Sequence, residues 1–119
     1  MLNDEYRYKL LQLLEANPQA SQREIATTLG ISLGKVNYCL NALIERGLIK
    51  ARNFTNSQNK RAYMYYLTPR GLREKARVTV RFFRQRVAEY EALREEIETL
   101  RGEAAREEAR MRESTGSAG

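Results

Sequence analysis

Residues 21–50, SQREIATTLGISLGKVNYCLNALIERGLIK, read as two short helices joined by a tight turn, the second longer and partly basic, and then the start of a strand. Ser21, followed three residues later by Glu24, forms a capping box that satisfies backbone N–H groups at a helix start. Ile25, Ala26 and Leu29 give that helix an apolar stripe. Gly30 can take the left-handed conformation that stops a helix, and Ser32 restarts the next as its N-cap. Ile31 before that cap and Val36 inside it are placed as a hydrophobic staple. A stop and a restart so close together make two helices cross, which is the plan of a helix-turn-helix.

The second helix, residues 33–46, divides into two faces at 100° per residue. Leu33, Val36, Leu40, Leu43 and Ile44 cluster on one side; Gly34, Lys35, Tyr38, Asn41, Ala42 and Glu45 fall on the other. The second face mixes donors, a ring and small residues, which suits a major groove. Asn can bond adenine edges, Lys can reach guanine or phosphate, and Gly34 lets backbone approach closely. An ordinary amphipathic helix with a solvated face is the plainer alternative. Asn37, beside this face, joins the candidate DNA contacts. Cys39, on the shoulder of the apolar side, reads as a small buried filler rather than a redox switch.

Gly47 ends the helix. Residues 48–54 (LIKARNF) and 61–67 (RAYMYYL) then have strand composition and flank a polar turn at 55–60. They predict a hairpin wing, with Tyr65 and Leu67 toward the core. Lys50, Arg52, Lys60 and Arg61 make it basic, as a ribbon lying along phosphates needs. Lysine and arginine also protect an edge hairpin from aggregation, and the two roles are compatible. Upstream, residues 4–15 form a third helix with Tyr6, Leu10, Leu13 and Leu14 on one face, closed by Asn17-Pro18. Arg7 and Tyr8 beside that face read as solvated, with phosphate contact as the sharper alternative.

Thr68-Pro69 opens the last element, with Thr as N-cap and Pro at the first helical position. The helical pattern runs to about Arg112, roughly 65 Å at 1.5 Å per residue. A unit of about 68 residues is only some 25 Å across, so most of this helix calls for a partner. A heptad register with Phe83, Tyr90, Ile97 and Ala104 at a puts Leu93 and Leu100 at d, and Leu72, Thr79 and Arg86 at earlier d positions. Ala76 belongs to the same predicted dimer seam. Glu89 and Glu96 at g would meet Arg94 and Arg101 at e in a parallel pair, whereas an antiparallel pair would oppose like charges. The pattern predicts a parallel homodimer.

Composition agrees. The chain has 119 residues and a net charge of +6. Residues 1–81 hold 14 Lys/Arg against 6 Asp/Glu, and residues 82–119 hold 7 against 9. The positive field therefore sits on the presumed DNA-binding part. With no histidine and one cysteine, His-based catalysis, an internal disulfide and a thiolate metal site are excluded. No phosphate loop, nucleophile elbow, signal-peptide core or transmembrane run occurs. The sequence predicts a cytoplasmic, non-catalytic protein with no cofactor and no membrane partner. It is mainly α with a small β-hairpin wing: a winged helix-turn-helix at 1–68, a long coiled-coil dimerisation helix at 69–112 and a disordered tail at 113–119.

ASQREIATTLGISLGKVNYCLNALIERGLIK followed by the YYLTPRG junction resembles the MarR-type winged-helix transcriptional regulators. GLREKARVTVRFFRQRVAEYEALREEIETLR is similar to the short MarR-type regulators associated with exopolysaccharide genes. The likeness covers about residues 4–104. It implies a regulator of transcription near polysaccharide-export genes, bound to a pseudo-palindromic double-stranded operator. By resemblance Ser32, Gly34, Lys35, Tyr38 and Asn41 occupy groove-facing positions and Arg61 the wing position. The sequence starts at the first core helix, without the additional helix that helps build the dimer interface of the larger family. Dimerisation through the C-terminal helix alone is therefore expected, and no small-molecule effector is assigned. A protein-interaction adaptor using the same fold without specific DNA binding is the rival reading.

Overall fold

A computed structural model describes residues 3–55 and 61–117. The element order is α1 (Asp4–Ala16), α2 (Gln22–Leu29), α3 (Leu33–Glu45), β1 (Ile49–Thr55), β2 (Arg61–Leu67) and α4 (Pro69–Ser117). The fold is mainly helical with one two-stranded antiparallel hairpin, a winged helix-turn-helix followed by a long C-terminal helix.

Local chemistry sets each boundary. The side chains of Asn3, Ser21 and Ser32 accept hydrogen bonds from the backbone N–H groups of Tyr6, Glu24 and Lys35, and so cap α1, α2 and α3. Gly30 ends α2 at φ 69°, and its N–H donates to the Ala26 carbonyl at 2.8 Å. Gly47, at φ 72°, ends α3 in a Schellman arrangement: its N–H donates to Ile44 and that of Leu48 donates to Leu43, both at 2.9 Å. The paired leucines at that terminus, Leu43 and Leu48, are both buried.

The core is built from α1, α2, α3 and the base of the hairpin. Leu10, Leu11 and Leu14 of α1, Ile25 and Leu29 of α2, and Val36, Leu40 and Leu43 of α3 meet Leu48, Ile49 and Tyr65 there. Leu67 and Ile31 pack partly buried against this cluster. Tyr65 and Leu67 thus lie on the core side of the wing as expected. Burial of a leucine or isoleucine contributes about 1.5–3 kcal/mol relative to exposure, so this cluster supplies most of what orders α3.

Two helix faces differ from the sequence reading. In α1, Leu11 is fully buried, whereas Leu13 is only partly so. In α3, Cys39 is buried as expected, while Leu33 and Ile44, placed on the apolar side, are 44% and 37% exposed. Burial pushes the Cys39 thiol above its usual range, the nearby Lys35 opposing this weakly.

The hairpin pairs Ile49 with Leu67, Ala51 with Tyr65, Asn53 with Tyr63 and Thr55 with Arg61. The Tyr65 N–H also donates to the Pro18 carbonyl at 3.0 Å, tying β2 to the loop after α1. Thr68 joins the hairpin to α4. Its hydroxyl donates to the Gly47 carbonyl at 2.6 Å and accepts from the Gly71 N–H at 3.0 Å. Gly71 is needed for close approach, because a Cβ there would overlap the Leu48 carbonyl oxygen.

The chain forms two compact units, residues 1–82 and 83–119, so the boundary falls inside α4 rather than at residue 68. The first turns of α4 belong to the first unit. Gly71 and Val78 are buried there, and Phe82 stacks on Tyr8 with ring centres 5.3 Å apart. Arg7–Glu74, Lys75–Glu15 and Arg81–Asp4 ion pairs join α1 to this part of α4. In the second unit the helix continues to Ser117, beyond Arg112 where the sequence reading ended it. No proline interrupts it, and the Thr115 hydroxyl donates back to the Met111 carbonyl, so the 113–119 segment is helical as far as Ser117.

Candidate nucleic-acid interface

The core contacts of Val36, Leu40 and Leu43 turn the other side of α3 to solvent. Ser32, Gly34, Lys35, Asn37, Tyr38 and Asn41 are all exposed, Tyr38 to 65%. A Cβ at Gly34 would meet nothing within 4 Å, so the start of α3 is open to a close surface. Such an N-terminal half is the part of a recognition helix that reaches base edges.

A run of side-chain hydrogen bonds crosses this face. Asn41 Nδ2 donates to Asn37 Oδ1 at 3.1 Å, Asn37 Nδ2 to Gln22 Oε1 at 3.4 Å, and Gln22 Nε2 to the Tyr65 hydroxyl at 3.0 Å. Tyr65 is anchored in the core, so the series fixes exposed amides from inside the fold. Gln22 was not singled out in the sequence. A polar residue opening α2 gives no local signal that it will reach both α3 and β2. The same network accounts for the amide orientations: Asn37 both accepts and donates, leaving the Asn41 carbonyl oxygen outward as an acceptor for a base amino group.

On the hairpin, Arg52 is exposed, with its guanidinium carbon 5.8 Å from the centre of the Tyr66 ring. This is within the range in which a cation is attracted to an aromatic face. Arg61 opens β2 opposite Thr55; its side chain, and Lys60 altogether, lie outside the described residues. On α1, Arg7 pairs with Glu74 and Tyr8 stacks on Phe82. Among the described residues no group of three His, Cys, Asp or Glu is placed to hold a metal ion.

Of the predicted dimer residues, Leu72 and Ala76 are exposed on the first unit's part of α4. Phe83, Tyr90, Leu93, Ile97, Leu100 and Ala104 are exposed on the second unit, Phe83 and Tyr90 to 65%. The earlier d positions Thr79 and Arg86 make contacts within their own helix. Thr79 is half-buried with its hydroxyl bonded to the Lys75 carbonyl, and Arg86 pairs with Glu89 at 2.8 Å. Val87, next to Arg86, is the exposed apolar residue of that turn. Arg101, expected to meet Glu96 of another copy, pairs within its own helix with Glu98 at 3.5 Å.

The family described as winged helix-turn-helix DNA-binding matches residues 3–50. A protein of Thauera aromatica named for transcriptional regulation of the hcr operon is 32% identical over 78 residues, 66% of this chain and 46% of that protein. The chain thus spans about half the length of this curated relative. Among solved structures, a PadR-like transcriptional regulator from Bacillus cereus superposes with a TM-score of 0.67 at 16% identity, covering 73% of this chain and 89% of the other. The zinc-dependent MarR family regulator AdcR superposes with a TM-score of 0.53 at 22% identity, covering 78% and 60%. At these identities the structural likenesses establish the fold. The exposed face of α3, the basic hairpin and the 3–50 match define a winged helix-turn-helix DNA-binding domain. In fold, the chain is similar to PadR-like and MarR family transcriptional regulators.

Proposed function

We propose that the protein regulates transcription by binding a specific pseudo-palindromic DNA operator as a homodimer. The observation that carries this reading is the solvent-facing α3 surface, on which Asn37 and Asn41 are held by hydrogen bonds that lead back to the core. Amides fixed before binding lose less freedom when they meet a base edge, which raises discrimination. Ser32, Gly34, Lys35, Asn37, Tyr38 and Asn41 would read the major groove. Arg52, Lys60 and Arg61 would follow the phosphates or enter the adjoining minor groove.

The dimer reading draws on the second unit's part of α4. Val87, Leu93, Ile97 and Leu100 are exposed on it together with Phe83 and Tyr90, which is a costly surface to leave in water. A second copy running parallel would cover it, with Glu89 facing Arg94 and Glu96 facing Arg101 across the pair. The Arg101–Glu98 pair within one helix is exposed on both sides and of little energetic weight, so Arg101 can exchange partners. Two recognition helices related by a two-fold axis would then contact half-sites about 10 bp apart. The likeness of residues 71–101 to exopolysaccharide-associated regulators makes polysaccharide-export genes the favoured target, in the cytoplasm. No helix among the described residues is long and apolar enough to cross a membrane.

The test is a mobility shift on DNA upstream of the neighbouring genes, with random DNA as competitor, alongside sedimentation of the protein. A retarded band that resists random competitor, from a dimeric species, is the expected result. Equal competition by random DNA would favour the adaptor reading. A monomer at micromolar concentration would remove the dimer.

A further inference from the structure

The cations of the first unit are not spread evenly. Arg7 of α1, Arg46 at the end of α3, and Arg70, Arg73 and Arg77 of α4 line one recess of about 490 Å³. Only two carboxylates, Glu45 and Glu74, share it. Glu74 accepts from Arg7 and from Arg77, each at 3.5 Å. Arg70 and Arg73 make no ion pair with any described residue. Guanidinium groups stay charged at every physiological pH, so five of them against two carboxylates leave the recess with an excess of three positive charges. Its volume falls in the range of small-molecule sites, about 300–1,000 Å³.

Arg7 and Arg46 also border a smaller recess beside Tyr38, whereas Arg70, Arg73 and Arg77 do not. The larger recess touches α3 only at Glu45 and Arg46, beyond Asn41 and at the opposite end from Ser32 and Gly34. Recognition helices approach DNA with their N-terminal half, so the far end of α3 is poorly placed for the duplex. Arginine forks bind carboxylate and phosphate oxygens in pairs. We infer that this recess binds a small polyanion, a metabolite carrying two or more phosphate or carboxylate groups, and that Arg70 and Arg73 are its principal ligands. Bound there, the anion would link Arg46 of the recognition helix to α1 and α4. The site stands independently of the DNA reading, because its occupancy is measured on the protein alone.

The experiment is calorimetric titration of the full chain with pyrophosphate and, separately, with citrate, the two arms distinguishing phosphate from carboxylate. Saturable binding of at least one is expected. In the Arg70→Gln/Arg73→Gln variant the Kd should rise about tenfold or more, since two charge-assisted pairs are lost. The Arg106→Gln/Arg110→Gln variant, with the same charge change on the second unit, should bind as the unaltered protein does. Glu74→Gln should tighten binding by removing a competing carboxylate, whatever its effect on melting temperature. No binding in either arm, or equal binding by the first two variants, overturns the assignment. So does a finding that Arg70→Gln/Arg73→Gln leaves anion binding intact while weakening affinity for random DNA, which would make the recess a phosphate-backbone contact.

Discussion

Gln22 Nε2 donates to the Tyr65 hydroxyl at 3.0 Å, joining the first turn of α2 to the core side of the wing. Because Gln22 Oε1 also accepts from Asn37, the wing, α2 and the exposed face of α3 share one polar connection. Replacing Gln22 with Ala removes both bonds. Each net bond is worth about 0.5–1.5 kcal/mol, so losing the two should lower stability by about 1–3 kcal/mol. The larger effect should be on specificity: the preference for operator over random DNA narrows while random-DNA affinity holds. Competition mobility shifts measure both. Unchanged preference would show that Asn37 and Asn41 need no support from Gln22.

The groove and wing residues should separate in kind. Tyr38→Ala and Asn41→Ala are expected to relax sequence preference, each costing about 1–3 kcal/mol on operator DNA and little on random DNA. Lys60→Ala or Arg61→Ala should lower affinity for both DNAs and reduce the slope of log K against log salt by about 1. Equal losses on both DNAs for all four variants would contradict this division.

Gly71→Ala reverses an ordinary expectation. In an exposed helix interior the change would stabilise by about 1 kcal/mol through helix propensity. Here the added methyl would collide with the Leu48 carbonyl oxygen, which already accepts from the Thr68 N–H. Overpacking of this kind costs typically about 1–3 kcal/mol. Denaturant melts should therefore show a destabilised protein.

What was legible in the sequence was local. Ser21, Gly30, Ser32 and Gly47 announce their helix ends because caps and left-handed turns depend on a few neighbouring residues. The fold class and the exposure of Tyr38 and Asn41 follow from that punctuation and from helical periodicity. Cys39 was legible as a buried filler, but the exposure of Leu33 and Ile44 was not, because the rotation of α3 is set by its packing against α2 and β1. Gly71 was invisible for the same reason; its constraint is the carbonyl of Leu48, 23 positions upstream. Likewise Gln22 and the arginine recess bring together residues far apart in the chain.

The dimer model makes a charge-exchange prediction. Glu96→Arg should weaken self-association by setting like charges opposite Arg101 of the second copy. Adding Arg101→Glu should restore it in a parallel pair. Exposed pairs contribute about 0.2–1 kcal/mol each, and a two-fold dimer has two. Sedimentation at low salt resolves such a change in Kd. Failure of the second substitution to restore association would argue against the parallel register.

The Asp4–Arg81 contact ties stability to pH. Arg81 Nε and Nη2 donate to the two Asp4 oxygens at 3.1 and 3.3 Å, and this pairing holds the Asp4 carboxyl below its ordinary value. A depressed carboxylate pKa means that the unfolded chain binds a proton more readily than the folded one. The stabilisation is therefore fully present above the unfolded value of about 3.9 and is lost as pH falls through the lower folded value. Asp4→Asn should melt at a lower temperature than the unaltered protein at neutral pH, and the gap should close as pH falls below about 4. The contact is exposed, so salt should shrink the gap as well. A difference between the two proteins that is the same at pH 3 and pH 7 would assign the effect of Asn to helix capping in α1 rather than to the ion pair.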